Sequence, residues 1–160
     1  MRYDAIIIGA GAAGLFCAGE AGRYGKRTLV LDHAGKPAEK VRISGGGRCN
    51  FTNIHASPAK GFLSSNPHFA KSALARYTPS DFLELVEAHG IAWHEKTLGQ
   101  LFCDRSAKDI IDMLLSRCAD ARADVRLSTP VQAVRREGAG FVLSLAGEEM
   151  ETGKLVLATG

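Results

Sequence analysis

Near its start the chain contains Asp4-Ala5-Ile6-Ile7-Ile8-Gly9-Ala10-Gly11-Ala12-Ala13-Gly14, the segment with the clearest structural pattern. Its apolar part is typical of a buried parallel strand. The Gly-x-Gly-x-x-Gly spacing predicts a sharp turn into a helix. Gly9 allows the turn, Gly11 lets a diphosphate approach the backbone, and Gly14 lets the helix pack against the sheet. Because the N-terminus of such a helix offers free N–H groups to an anion, the stretch predicts a dinucleotide site.

The residues after the glycines strengthen the prediction of a dinucleotide site, which the glycine spacing alone supports only weakly. A second apolar strand, Thr28–Leu31, ends at Asp32. An acidic residue there, about 20 residues beyond the glycines, is where a ribose hydroxyl would be bound. His33 either rests against adenine or ribose or is simply exposed. The alternative to a dinucleotide site is a structural strand–turn–helix without a ligand.

The composition is that of a globular protein with a small positive charge. The 160 residues are 46% hydrophobic and 23% charged, with a net charge of +3. Because this charge is too small to indicate a nucleic-acid surface, we expect a small-molecule substrate and no nucleic-acid partner. The four cysteines have no Cys-x-x-Cys spacing and the histidines lack metal-ligand spacing, so neither a disulfide framework nor a metal site is predicted. No targeting or membrane segment is recognised, which favours a cytoplasmic protein and leaves the oligomeric state open.

A long glycine- and lysine-rich stretch follows Asp32 and extends to about Lys60. We predict an ordered functional loop, anchored by Ile43, Phe51 and Ile54. At its centre, the N–H groups of residues 44–47 are able to form an anion nest, and the side chains at 48 and 50 can bind phosphate or ring heteroatoms. A flexible linker is the alternative for the three glycines. The candidate binding residues of this stretch are Ser44, Gly45, Gly46, Gly47, Arg48 and Asn50.

Three helices and several short strands are predicted further along the chain. The helices cover about Pro67 to Arg76, a segment capped by Thr78 and ended by Gly90, and a segment capped by Ser106. Strand-like pieces surround Trp93 and Leu101-Phe102.

The last part of the chain is predicted to be rich in β-structure. Val125–Leu127 reads as a parallel strand, and Val131–Arg136, Phe141–Leu145 and a piece near Glu149 read as an antiparallel meander. Leu155–Leu157 is a separate buried strand that ends in Ala158, Thr159 and Gly160. Because the chain stops directly after a core strand, we expect a fragment whose substrate domain lies beyond residue 160.

Two segments of the chain resemble known flavoproteins. Leu155–Gly160 resembles the second fingerprint of two-dinucleotide-binding flavoproteins, in which a strand ends in Ala-Thr-Gly near the flavin. Ile43–Asn53, which contains SGGGRCNFTN, resembles the signature of bacterial NAD(P)/FAD-dependent oxidoreductases, some labelled aminoacetone oxidase-like and others dehydro-bile-acid reductase-like. The chain departs from that family at Asp32, where Glu is usual, at Glu39, which reverses a charge, and at Cys103, where Pro is frequent.

The resemblance implies a Rossmann-like α/β domain over residues 1–160 that binds FAD through a parallel sheet and a small antiparallel meander. It further implies an oxidoreductase that transfers hydride at flavin N5, with NAD(P)H or oxygen as second partner. A flavin-dependent RNA-modifying protein and a non-catalytic FAD-binding fragment are the alternatives. No catalytic residue is assigned, and Cys49 is interpreted as structural because no resolving cysteine is near it in sequence. The predicted cofactor-binding residues are Gly9, Gly11, Ala12, Ala13, Gly14, Asp32, His33, Lys40, Ser44, Gly45, Gly46, Gly47, Arg48, Asn50, Val131 (backbone to the adenine edge), Ala158, Thr159 and Gly160.

Overall fold

The computed structural model describes residues 3–57, 62 and 64–160. Lys60, the predicted end of the long loop, lies outside the described residues. The chain forms two compact units, one from the residues up to Val41 together with Ile111–Gly160, the other from Arg42–Ile110. Its elements are, in chain order, β1 (Tyr3–Ile8), α1 (Ala12–Arg23), β2 (Thr28–Leu31), α2 (Glu39–Ile43), a 3-10 turn (Ser44–Gly47), β3 (Asn50–Asn53), α3 (Lys71–Arg76), α4 (Pro79–Ala88), β4 (Trp93–Glu95), β5 (Gln100–Cys103), α5 (Ala107–Asp120), β6 (Asp124–Arg126), β7 (Ala133–Glu137), β8 (Gly140–Ser144) and β9 (Glu149–Leu157).

The first unit is built on a six-stranded sheet in the order β6-β2-β1-β9-β8-β7. The first four strands are parallel, and β8 and β7 continue the sheet as antiparallel strands. This confirms the predicted Rossmann-like α/β class. Ile8 lies opposite Leu31 on one side and Leu157 on the other, so β1, β2 and β9 end at the same edge of the sheet.

The core of this unit explains why β1 is apolar after Asp4 and β2 is apolar after Thr28. Ile6, Ile7 and the whole of Leu29–Leu31 have no exposed surface, as expected for parallel strands covered on both faces. On α1, a Cβ added to Gly22 would overlap the Cβ of Ala121, so the small residue allows close packing at that point.

One strand of the sheet differs from its prediction. The sequence pattern separates a piece near Glu149 from a strand at Leu155, whereas β9 is a single nine-residue strand. The reason is that β9 changes partners without breaking: Thr152 lies opposite Tyr3 of β1 and also opposite Phe141 of β8.

The second unit contains a three-stranded sheet in the order β3-β5-β4 together with α3 and α4. The predicted capping of α4 is confirmed, because the Asp81 N–H donates to Thr78 Oγ1 at 3.3 Å and the Thr78 N–H donates to Asp81 Oδ2 at 2.6 Å. Helix α3 begins at Lys71 rather than near Pro67, since turns occupy the residues before it.

The predicted long loop contains regular structure, namely α2, the 3-10 turn and β3. Two of its three predicted anchors are wrong: the side chains of Ile43 and Ile54 are 76% and 45% exposed. Phe51 does act as an anchor, since its ring packs against that of Phe82 with centroids 6.1 Å apart.

Candidate cofactor-binding site

A cleft of about 700 Å³ lies in the first unit where β1, β2 and β9 end. In open α/β sheets, ligands bind outside the carboxyl ends of parallel strands, which is where this cleft is found. Among the residues predicted from the sequence, those that line it are Gly9, Gly11, Ala12, Ala13, Asp32, His33, Lys40, Val131, Ala158, Thr159 and Gly160.

The three glycines of the turn have different structural requirements. Gly9 has a φ of +111°, and a Cβ there would clash with the carbonyl oxygen of Ala158. A Cβ on Gly14 would clash with the carbonyl oxygen of Gly9, so Gly14 is buried behind the turn and does not line the cleft. A Cβ on Gly11 would have no atom of the described residues within 4 Å. The fold therefore requires Gly9 and Gly14, whereas Gly11 borders open space inside the cleft.

Asp32 connects the end of β2 to the glycine turn. Its Oδ2 accepts a hydrogen bond of 2.6 Å from the Ala10 N–H, and its Oδ1 accepts one of 2.8 Å from the Ala34 N–H. The side chain is 15% exposed. Sequence reasoning missed both bonds. The bond from Ala34 is a local turn in which an aspartate accepts from the N–H two residues on, whereas the bond from Ala10 joins loops that no residue spacing brings together. Whatever Asp32 does for a ribose, the carboxylate already holds the turn in place.

Lysines at the cleft favour an anionic ligand. Lys36 and Lys40 both line it, together with Glu39. The Lys40 ammonium lies close to Gly160, beyond the end of β9, because a Cβ on Gly160 would lie 3.1 Å from its Nζ. Sequence reasoning did not select Lys36 as a binding residue, although it lies in the basic stretch directly after Asp32.

A few further lining residues were also missed. Thr129 and Pro130 line the cleft beside the predicted Val131, all three before the start of β7. Both residues directly precede Val131 in the chain, and this position could have suggested them as cleft residues.

These features together fit a dinucleotide. The first turn of α1 contains no acidic side chain, so its N–H groups and positive dipole end are available to a diphosphate. The absent Cβ at Gly11 leaves room for the phosphates, and the Asp32 carboxylate lies at the tip of β2, where a ribose is held in such folds.

The Ser44–Asn50 segment belongs to the second unit. Gly45, Gly46 and Gly47 all have left-handed φ angles, and a Cβ on Gly45 would lie 2.6 Å from the ring of Phe102. The segment is thus an ordered turn rather than a flexible linker, with Arg48 and Asn50 exposed. Its contacts with a cofactor stay a prediction.

The cysteines are buried in a way that suits structural roles. Cys49, Cys103 and Cys118 are 4%, 0% and 2% exposed. Burial raises the pKa of Cys49 and of Cys118, and burial together with the neighbouring Cys49 raises the pKa of Cys103 to about 12. Since the thiolate is the reactive form, these groups are poor nucleophiles at neutral pH.

We expect the buried thiols of the native protein to resist alkylation. A pKa of about 12 in place of 9.0 leaves Cys103 with about a thousandfold less thiolate at pH 8. Iodoacetamide at pH 8, followed by peptide mass spectrometry, should label Cys49, Cys103 and Cys118 far more slowly than in urea. Cys17, which is half-buried, is the internal control and should react first. Rapid labelling of native Cys49 would contradict its structural role.

Residues 3–160 match the family model described as the HI0933-like protein Rossmann domain. The chain belongs to this family. This HI0933-like chain is 56% identical over 159 residues to "Ribosomal RNA dihydrouridine synthase" of Escherichia coli (strain K12), covering 99% of the chain and 40% of that relative. It is 50% identical over 159 residues to the protein of the same name in Haemophilus influenzae (strain ATCC 51907 / DSM 11121 / KW20 / Rd), covering 97% and 39%. The chain thus spans about two fifths of the length of these curated relatives.

Solved structures share the fold of this HI0933-like domain. Glycine oxidase from Geobacillus kaustophilus superposes with a TM-score of 0.65 at 17% identity, over 99% of this chain and 55% of that one. Within the described ranges, no helix has the length and apolar character needed to cross a membrane.

The relatives correct one expectation from the sequence. The small net charge led to the prediction that no nucleic acid is a partner, and this is contradicted by two relatives whose names state an activity on ribosomal RNA. The physical reason is that net charge is an average: residues 42–80 contain basic but no acidic residues, and acidic residues elsewhere offset them. The names of these two relatives also differ from the labels aminoacetone oxidase-like and dehydro-bile-acid reductase-like, which the family resembled by Ile43–Asn53 carries.

Proposed function

We propose that the full protein is an FAD-dependent enzyme that reduces uridine in ribosomal RNA to dihydrouridine, and that this chain is its cofactor-binding domain. The observation that carries the proposal is the 56% identity, over nearly the whole chain, to a ribosomal RNA dihydrouridine synthase. The dinucleotide-fitting cleft supports the flavin part of it. The remainder of the full protein would bring the RNA to the cofactor.

FAD, once bound and reduced by an electron donor, would supply the hydride that reduces the substrate. The chain's own residues bind and orient the cofactor. The glycine turn and the N-terminus of α1 would hold the diphosphate, Asp32 the ribose, and the backbone of Val131 the adenine. Lys40 and the residues directly after β9, Ala158–Gly160, would face the flavin side of the cleft.

The reaction requires two electrons and two protons, counted as one hydride and one proton. The C5=C6 double bond of uracil is conjugated with the C4 carbonyl, so hydride adds at C6 and a proton adds at C5. We propose NAD(P)H as the source of the electron pair. Because the proposed substrate is ribosomal RNA, the protein would act in the cytoplasm, the location expected from the sequence.

The proposal is tested with the full-length protein and unmodified ribosomal RNA. Incubation with NADPH or NADH should convert uridine to a nucleoside two mass units heavier, detected by mass spectrometry after digestion. Reactions without NADPH or NADH, and reactions with protein stripped of flavin, are the controls and should give no dihydrouridine. Steady oxidation of NAD(P)H with no dihydrouridine formed would contradict the proposal.

A further inference from the structure

One part of the chain has a charge pattern unlike the rest. Residues 42–80 contain five basic residues and no acidic one, although the chain has 17 acidic residues in 160. The run ends at α4, which carries Asp81, Glu84 and Glu87. A polyanion approaching this part of the surface would meet no carboxylate from the run itself.

Within this run, the segment His68–Tyr77 exposes aromatic and basic side chains together. Phe69 is 75% exposed and Tyr77 is 39% exposed. Lys71 and Arg76, at the two ends of α3, are also exposed. Exposed aromatic and basic side chains within a run that has no carboxylate offer the groups that bind a polyanion with aromatic bases, whereas Tyr24 lies near the carboxylates of Glu20 and Asp124 in the sequence or the fold.

The chemistry of the His68–Tyr77 segment matches single-stranded RNA. Unpaired bases stack on exposed aromatic rings, and phosphates bind Lys and Arg. We propose that the His68–Tyr77 segment contacts an unpaired stretch of the RNA substrate, with Phe69 and Tyr77 stacking on bases and Lys71 and Arg76 binding phosphates. This inference rests on the proposed function, because it takes RNA as the substrate.

RNA suits this segment better than a covering segment of protein does. A protein segment packed over Phe69 would desolvate neighbouring cations and would have to supply acidic partners for them. RNA supplies π-faces and negative charge in the same molecule, so both kinds of side chain are satisfied by one occupant.

The chain offers a closely matched control for a test. Tyr24 and Lys26 in the first unit have the same spacing as Phe69 and Lys71, and all four side chains are exposed. The double variants F69A/K71A and Y24A/K26A of the full-length protein therefore lose the same kinds of group. Each is titrated with a fluorescent single-stranded oligonucleotide copied from the substrate RNA, and with the duplex of the same sequence.

We expect F69A/K71A to weaken single-strand binding at least about tenfold, because one stacked base and one phosphate contact are lost. The slope of log K against log salt should fall by about 0.7 for the lost phosphate contact. Y24A/K26A should stay within about twofold of wild type, and duplex binding should be weak throughout. Lys71→Glu, a single change at an exposed position, should lower the affinity without lowering the melting temperature or the FAD content.

Unchanged RNA affinity in F69A/K71A and Lys71→Glu, with RNA binding intact in the wild type, would overturn this assignment alone. Equal losses in both double variants would overturn it too. A lower melting temperature with unchanged RNA affinity would also overturn it, because the remainder of the full protein would then cover the segment. Failure of the wild-type protein to bind RNA or form dihydrouridine would overturn the proposed function together with this inference.

Discussion

Replacing Gly11 with alanine is expected to weaken FAD binding by the full-length protein at least about a hundredfold, because a diphosphate held by backbone N–H groups would lose charge-assisted hydrogen bonds worth about 1.5–3 kcal/mol each. The added Cβ has no atom of the described residues within 4 Å, so only a ligand would meet it. Gly11 has a φ of −77°, which alanine adopts without strain. The melting temperature of the apoprotein should therefore stay close to that of wild type. FAD affinity is measured by flavin fluorescence titration.

Two other glycines provide controls for this result. Gly153→Ala adds a Cβ whose nearest neighbour is Asp4 O at 3.8 Å, an ordinary contact, and should leave both FAD affinity and stability unchanged. Gly14→Ala drives a Cβ into the carbonyl of Gly9 and should instead destabilise the fold, with or without FAD. Wild-type FAD affinity in Gly11→Ala would show that no cofactor approaches the turn at this point.

Asp32→Ala is expected to lower both FAD affinity and stability. Loss of a carboxylate that binds ribose hydroxyls should cost about 1.5–3 kcal/mol, or about ten- to a hundredfold in affinity. The same change leaves the N–H groups of Ala10 and Ala34 without their acceptor, which should destabilise the apoprotein by about 2 kcal/mol. Flavin titration and urea unfolding of the apoprotein separate the two effects. Asp32→Glu should be milder in its effect on FAD, since it keeps the carboxylate.

Asp4→Ala is the matched control, because Asp4 Oδ2 accepts from the Arg27 N–H at 2.8 Å. This carboxylate also binds a backbone N–H between β1 and β2, but it does not line the cleft. Its removal should leave FAD affinity unchanged. If Asp32→Ala binds FAD normally and only loses stability, Asp32 would be a structural residue of the turn and not a ribose ligand.

Much of the first unit follows from local rules applied to the sequence. Apolar runs without alternation indicate parallel strands covered on both faces, and β1 and β2 are such strands. Once strands are parallel, their carboxyl ends meet at one edge, which brings Gly9, Asp32 and Ala158 to the same cleft. Gly9 and Asp32 were therefore predictable although they are far apart in the chain, whereas Ala158 was selected from its resemblance to the second flavoprotein fingerprint.

Features that depend on tertiary partners were not predictable. The hydrogen bond from Ala10 to Asp32 requires knowledge of where two loops meet. The continuity of β9 depends on Thr152 having a partner on each side, which overrides the glycine that follows it. Ile43 was predicted to anchor the loop because it is hydrophobic, but its side chain is exposed. Its hydrophobicity alone could not show whether a partner lies against it.

The partner was mispredicted for a different reason. A net charge of +3 is a property of the whole chain, whereas a macromolecule meets a local surface. The acid-free run from residue 42 to residue 80 was present in the sequence, but the averaged charge concealed it.

The most direct test of the account is an anaerobic single-turnover experiment with the full-length protein. Its bound flavin is first reduced with one equivalent of NAD(P)H, and unmodified ribosomal RNA is then added in the absence of oxygen. We expect the absorbance of oxidised flavin to return, with one dihydrouridine formed for each flavin reoxidised. Flavin that stays reduced in the presence of RNA and is reoxidised only when oxygen is admitted would contradict it.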